Sequence, residues 1–101
     1  MAGYWMIRSS DVVDQEAMAK YVELWTPIAE KYGAHFLAGR GVRAQTREGP
    51  DHPRSSIMAF PTYDAAVNCY DDADYQTAMI YANKAYEFRQ LVIVESVESV
   101  E

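Results

Sequence analysis

Cysteine is nearly missing from this chain. Cys69 is the only one among 101 residues, so no intramolecular disulfide can form, and a reduced, cytoplasmic setting fits. Histidine is scarce too, with only His35 and His52, and neither stands at metal-ligand spacing from the other or from Cys69, so no metal site is expected. No glycine-rich phosphate loop is present, so a nucleotide cofactor is not indicated and none is assigned. Basic residues are outnumbered, 9 Lys and Arg against 15 Asp and Glu, for a formal charge of −6. Nucleic-acid phosphates and anionic membranes call for a basic face, so both are excluded as expected partners. Met1 to Arg8 has no basic leader and no long apolar run, and polar Ser9-Ser10-Asp11 follows at once, so neither a signal peptide nor a membrane span is expected. Glycine and proline are few while half the residues are hydrophobic, a balance that favours folding over disorder. The length suits one core, expected over residues 1–97, with an acidic tail over 98–101.

What is present reads as alternating strands and helices. Tyr4-Trp5-Met6-Ile7 is a first strand. Asp14 stands where a helix N-cap belongs, and Met18, Tyr21, Val22, Trp25, Ile28, Ala29 and Tyr32 recur at helical spacing up to Gly33, a natural left-handed stop. Pro27 lies inside that stripe without an N–H for the Glu23 carbonyl, so a kink or break is expected there. His35 to Ala38 is a second strand, with a continuation over Val42 to Arg47 after a bulge at Gly39-Arg40-Gly41. The turn cluster Glu48 to Pro53 leads into a third strand, Ser56 to Phe60. Thr62 caps a short helix, Asp71-Asp72-Ala73-Asp74 offers a second capping site, and Leu91 to Val94 is the last strand.

This order is the ferredoxin-like β-α-β-β-α-β arrangement of an α+β fold. It implies a four-stranded antiparallel sheet with the first strand central and two helices on one face. A sheet with one wet face should alternate apolar and polar residues, yet Tyr4 to Ile7 and Leu91 to Val94 are apolar on both sides. Leaving such a face bare makes a patch too large for a typical monomer. A second copy of the chain, packed sheet on sheet about a two-fold axis, is the expected cover. The competing cover is the long hairpin together with the tail.

Several local patterns resemble a known family. Tyr4-Trp5, Asp14 to Tyr21, Lys31-Tyr32-Gly33, Glu48-Gly49 with Arg54, Phe60 to Ala66, Tyr75-Gln76 and Leu91 to Glu95 follow one another as in the family catalogued as domain of unknown function 1330, of the dimeric α+β barrel superfamily. The resemblance spans almost the whole chain and implies a ferredoxin-like fold and a homodimer. It lends no activity. Cofactorless monooxygenases and muconolactone-isomerase-like enzymes share the superfamily, which is an analogy of fold alone. The chain departs from the family pattern at Gly33-Ala34, at Gly39-Arg40-Gly41, and at Cys69, where a tryptophan is common.

Candidate ligand-binding residues are His35, Arg40, Glu48, Arg54 and Tyr75. His35 starts a strand beside a helix end, and histidine is a side chain suited to proton transfer; the plainer reading is a structural or exposed histidine. Arg40 between two glycines has the fork to hold a carboxylate, against the plainer reading of an exposed bulge. Glu48 and Arg54 flank the hairpin tip and either pair across it or reach over a dimer interface, a contact worth little if exposed. Tyr75 belongs to an aromatic series able to wall a pocket or to divide between core and surface. Cys69 is flanked by acids, which disfavours a thiolate. The expected function is a homodimer binding a small molecule between sheet and helices. The alternatives are a non-catalytic interaction module or a cofactorless enzyme by fold analogy. An RNA-recognition module shares the strand order, but Ser55 to Phe60 lacks the basic and glycine opening of its stacking strand, and it is discarded.

Overall fold

The chain, described over residues 1–39 and 43–97 in a computed structural model, runs β1 (Gly3–Ser9), α1 (Gln15–Tyr32), β2 (His35–Ala38), β3 (Arg54–Phe60), α2 (Tyr63–Asp71), α3 (Ala73–Ala85) and β4 (Arg89–Glu95). The strands form one antiparallel sheet in the order β2-β3-β1-β4, with β1 paired on both sides. The tail expected over 98–101 and the bulge residues 40–42 lie outside the described residues.

The helix ends follow from their capping chemistry. Asp14 accepts a hydrogen bond from the Ala17 amide at 3.0 Å, and Gly33 closes α1 at φ 68. The kink or break expected at Pro27 does not divide the element, for α1 is continuous. Both Pro27 and Glu23 are exposed, so water can satisfy the carbonyl that proline leaves without a donor. The second helical region is two helices. Asp72 ends α2 and caps α3 through the Asp74 amide at 2.8 Å.

The strand expected beyond Ala38 is not formed, since residues 43–47 are irregular. The β2–β3 register shifts between Phe36 and Ala38. At Gly39, φ 88, a Cβ would meet the Ser55 carbonyl at 2.2 Å, so only glycine fits against β3.

Side chains alternate across the sheet. Trp5, Ile7 and Ser9 of β1 share the inner face with Met58 and Phe60 of β3 and with Leu91 and Ile93 of β4, and the helices cover that face. Trp5 is its centre: fully buried, it donates its indole N–H to the Ala66 carbonyl at 3.0 Å. The rings of Trp25, Phe60, Tyr70 and Tyr75 surround it at centroid distances of 5.4, 5.0, 6.0 and 5.1 Å. Fully buried Ala66, Ala78 and Ala82 let α2 and α3 approach this cluster closely. On the outer face Met6 and Val92 are each 46% exposed.

Two outcomes test this account. Trp5→Phe removes half an indole and its hydrogen bond to the Ala66 carbonyl, and should lower unfolding free energy by roughly 2–4 kcal/mol in a urea titration. Asp72 accepts from Tyr32, Lys31 and the Asp74 amide, and these bonds hold its carboxyl down at about 2. The folded value lies below the ordinary one, so the associated stability is present above about pH 4 and is lost as the pH falls toward 2. Circular dichroism across that range should show this loss in the wild type and a flatter acid limb, from a lower starting stability, in Asp72→Asn.

Candidate functional site

A cavity of about 820 Å³ lies between α1 and the inner face of the sheet. It follows β1 from Trp5 to Ser9, a run of about 13 Å at strand rise, beneath the stretch of α1 from Met18 to Ala29. One end is aromatic, walled by Trp5, Trp25, Phe36 and Met58; the other is polar, formed by Ser9, Arg54, Tyr86 and Arg89.

Sheet register creates the polar end. Ser9 pairs with Arg54 of β3 on one side and with Arg89 of β4 on the other, so two guanidinium-bearing residues flank a buried serine in one row of the inner face. The connections at this end are stitched together. Ser10 donates its amide to the Phe88 carbonyl at 3.0 Å, and its hydroxyl accepts from the Glu87 and Phe88 amides. Val12 forms an isolated bridge with Tyr86. These bonds fix where β4 begins, and so where Arg89 stands.

Arg89 Nη2 donates to the Tyr21 hydroxyl at 3.3 Å, and its Cζ lies 5.5 Å from the Tyr21 ring centroid. Tyr21 shares a hydrogen bond of 3.2 Å with the Tyr75 hydroxyl. Burial pushes the Tyr21 phenol well above its usual range, so the hydroxyl keeps its proton at neutral pH. Burial opposes the charge of Arg89, but the hydroxyls of Tyr21, Tyr75 and Tyr86 outweigh it and keep the guanidinium charged. Arg54 Cζ sits 5.9 Å from the Tyr86 ring centroid. Among the described residues, the one carboxylate bordering the cavity is that of Asp11. Among the described residues neither Arg54 nor Arg89 forms an ion pair.

The candidate residues named from sequence are dispersed. Arg54 lines the cavity at its polar end. His35 borders it at the β2 edge, although pairing with Ala59 puts it in the outward-facing row with Tyr4. Tyr75 is fully buried beneath the cavity, behind Tyr21, Trp25 and Arg89 of its lining. Glu48 lies in the 43–53 loop, in a separate depression beside Arg8, and forms no ion pair with Arg54 among the described residues. Arg40 lies outside the described residues. Sequence reasoning missed Arg89 and Tyr21 as a polar pair. The signal was the two-residue period: Leu91 and Ile93 face inward, so Arg89 must as well. Among the described residues no cluster of His, Cys, Asp and Glu could hold a metal ion, and no helix is long and apolar enough to cross a membrane.

The fold, with its cavity between helix and sheet, defines a ferredoxin-like α+β protein. The chain belongs to the family described as domain of unknown function (DUF1330), whose family model matches residues 2–97. Solved structures share the fold. A protein of unknown function from Rhodopseudomonas palustris is 18% identical, with 97% of this chain and 84% of that one covered at a TM-score of 0.72. A dimeric ferredoxin-like protein of unknown function from Bacteroides fragilis is 13% identical, with 94% and 96% covered at 0.57. An ethyl tert-butyl ether D (EthD) family protein from Bacillus halodurans is 13% identical, with 96% and 100% covered at 0.59. No curated protein matches the chain.

Cys69 takes no part in the cavity. Burial, and then the Asp72 carboxylate, push its thiol up to about 12. In the folded protein it should resist iodoacetamide at pH 8 and react only after denaturation. Because the folded value lies above the ordinary one, the folded state keeps the thiol proton that the unfolded chain loses. Stability should therefore fall as the pH rises above about 9, and Cys69→Ala should reduce that slope in alkaline urea titrations.

Proposed function

We propose that the chain works as a homodimer that binds one small molecule per subunit in the cavity between α1 and the sheet. The observation that carries this reading is the cavity itself. Its volume falls within the roughly 300–1,000 Å³ of ligand pockets, and a few polar groups converge in an otherwise apolar wall. A purely structural core would fill such a space, since unfilled volume loses dispersion contacts.

Dimerisation is supported by the outer face. Met6 and Val92 are half exposed side by side in paired strands, flanked by the partly buried Tyr4, Ile57 and Val94. Covering each large apolar side chain contributes roughly 1.5–3 kcal/mol. The 43–53 loop reaches this face only at its Arg8 end, where Arg8 donates to Thr46 at 2.8 Å and to Ser55 at 3.1 Å. The Bacteroides fragilis relative of the same fold is dimeric by name.

The test has two arms. Val92→Glu should convert a dimer to a monomer in sedimentation velocity at micromolar concentration; a monomeric wild type defeats the dimer. For the cavity, Ala29→Phe places a ring in the space beneath α1. It should weaken the binding of the neutral apolar dye Nile red, followed by quenching of tryptophan emission, by about tenfold or more. Equal binding by wild type and variant removes the cavity reading.

A further inference from the structure

The polar end of the cavity raises a question of charge. The protein is acidic, with a net charge of −6, yet among the described residues two of the three charged ones lining its cavity are arginines. Arg89 sits among tyrosines, and its hydrogen-bond partners are the hydroxyls of Tyr21 and Tyr75, both neutral. A guanidinium has five N–H donors in a planar fork. Most of that fork is therefore uncommitted, in a partly desolvated place where a cation without a counter-ion is costly. Arg54 stands two strands away in the same row, about 10 Å off at sheet spacing, with Ser9 between.

From this arrangement, and resting on the cavity reading above, we infer that the ligand is a monocarboxylate with a flat apolar body. The carboxylate sits on the Arg89 fork beside the Tyr21 hydroxyl, with Arg54 facing it across the Ser9 row. The body extends along β1 toward Trp25 and Trp5. A carboxylate matches the fork with two parallel hydrogen bonds, and with Tyr75 as the donor in the bond it shares with Tyr21, the Tyr21 O–H donates a third. Asp11 at the rim cancels one of the two positive charges, which favours a single negative charge over a phosphate dianion. The distance from Ser9 to Trp5, about 13 Å along the strand, accommodates an arylalkenoate with its ring against Trp25, which itself packs on the buried Trp5. The ring then meets aromatic faces that no charged residue borders.

Cinnamate and its uncharged isostere cinnamamide provide the test, titrated against the intact protein by calorimetry and by quenching of tryptophan emission. Cinnamate should bind about tenfold or more tighter than cinnamamide, the scale of a charge-assisted pair. Arg89→Met should abolish that preference, leaving the acid no tighter than the amide, and Tyr21→Phe should reduce it in part. Equal affinity of the acid and the amide for the wild type overturns the carboxylate assignment while leaving the cavity reading intact, and this comparison needs no variant. Retention of the preference by Arg89→Met overturns the role of Arg89. Phenyl phosphate binding more tightly than cinnamate overturns the single-charge assignment. If neither cinnamate, cinnamamide nor Nile red binds, both this inference and the cavity reading fail.

Discussion

Everything in this molecule depends on the double pairing of β1. With β3 on one side and β4 on the other, its alternating side chains have one register available, and that register sets both the core and the site. Slipping one residue would turn Trp5 outward and Met6 inward, and would send Ser9 and its two flanking arginines to the opposite face. The fully buried indole of Trp5, tied to the Ala66 carbonyl, makes such a slip costly. The residue that organises the core thus also holds the polar row in place.

The division of the cavity into an aromatic half and a cationic half follows from the same geometry. Along β1 the inner face reads Trp5, Ile7, Ser9, from large and apolar to small and polar. Above it, α1 runs from Met18 near the polar end, where the Tyr86 hydroxyl meets the Met18 sulfur, to Trp25 over Trp5. Tyr21 lies between, with its ring parallel to that of Trp25 and its hydroxyl on Arg89. A tyrosine suits that junction because one side chain supplies both an apolar face and a donor.

The elements were more legible than their ends. Asp14, Gly33, Thr62 and Asp72 marked helix limits, since capping chemistry is local and each cap serves backbone groups within four residues. Strand ends carry no such marker. The apolar runs Tyr4 to Ile7, Ser56 to Phe60 and Leu91 to Val94 identified three strands but stopped short of Ser9, Arg54 and Arg89. Those three polar residues read as loop because hydrophobic pattern ends with the core, whereas backbone pairing continues beyond it. The polar end of the cavity is built from the part of each strand that pattern does not mark. Pro27 leaves α1 unbroken for a related reason: at an exposed turn water can replace the lost hydrogen bond, and that exposure emerges only on folding.

By itself the sequence determined the element order, the helix caps, the central first strand and an apolar surplus on both faces of the sheet, all consequences of neighbours a few residues apart. Tertiary structure alone decided which polar residues meet. Arg54 and Arg89 are distant along the chain and come into one row only because both pair with Ser9, and Tyr21 reaches Arg89 only because α1 crosses above that row. Such meetings rest on pairing register and helix placement, and those are settled by burying Trp5 and its ring of aromatics, a long-range packing event that local pattern does not encode.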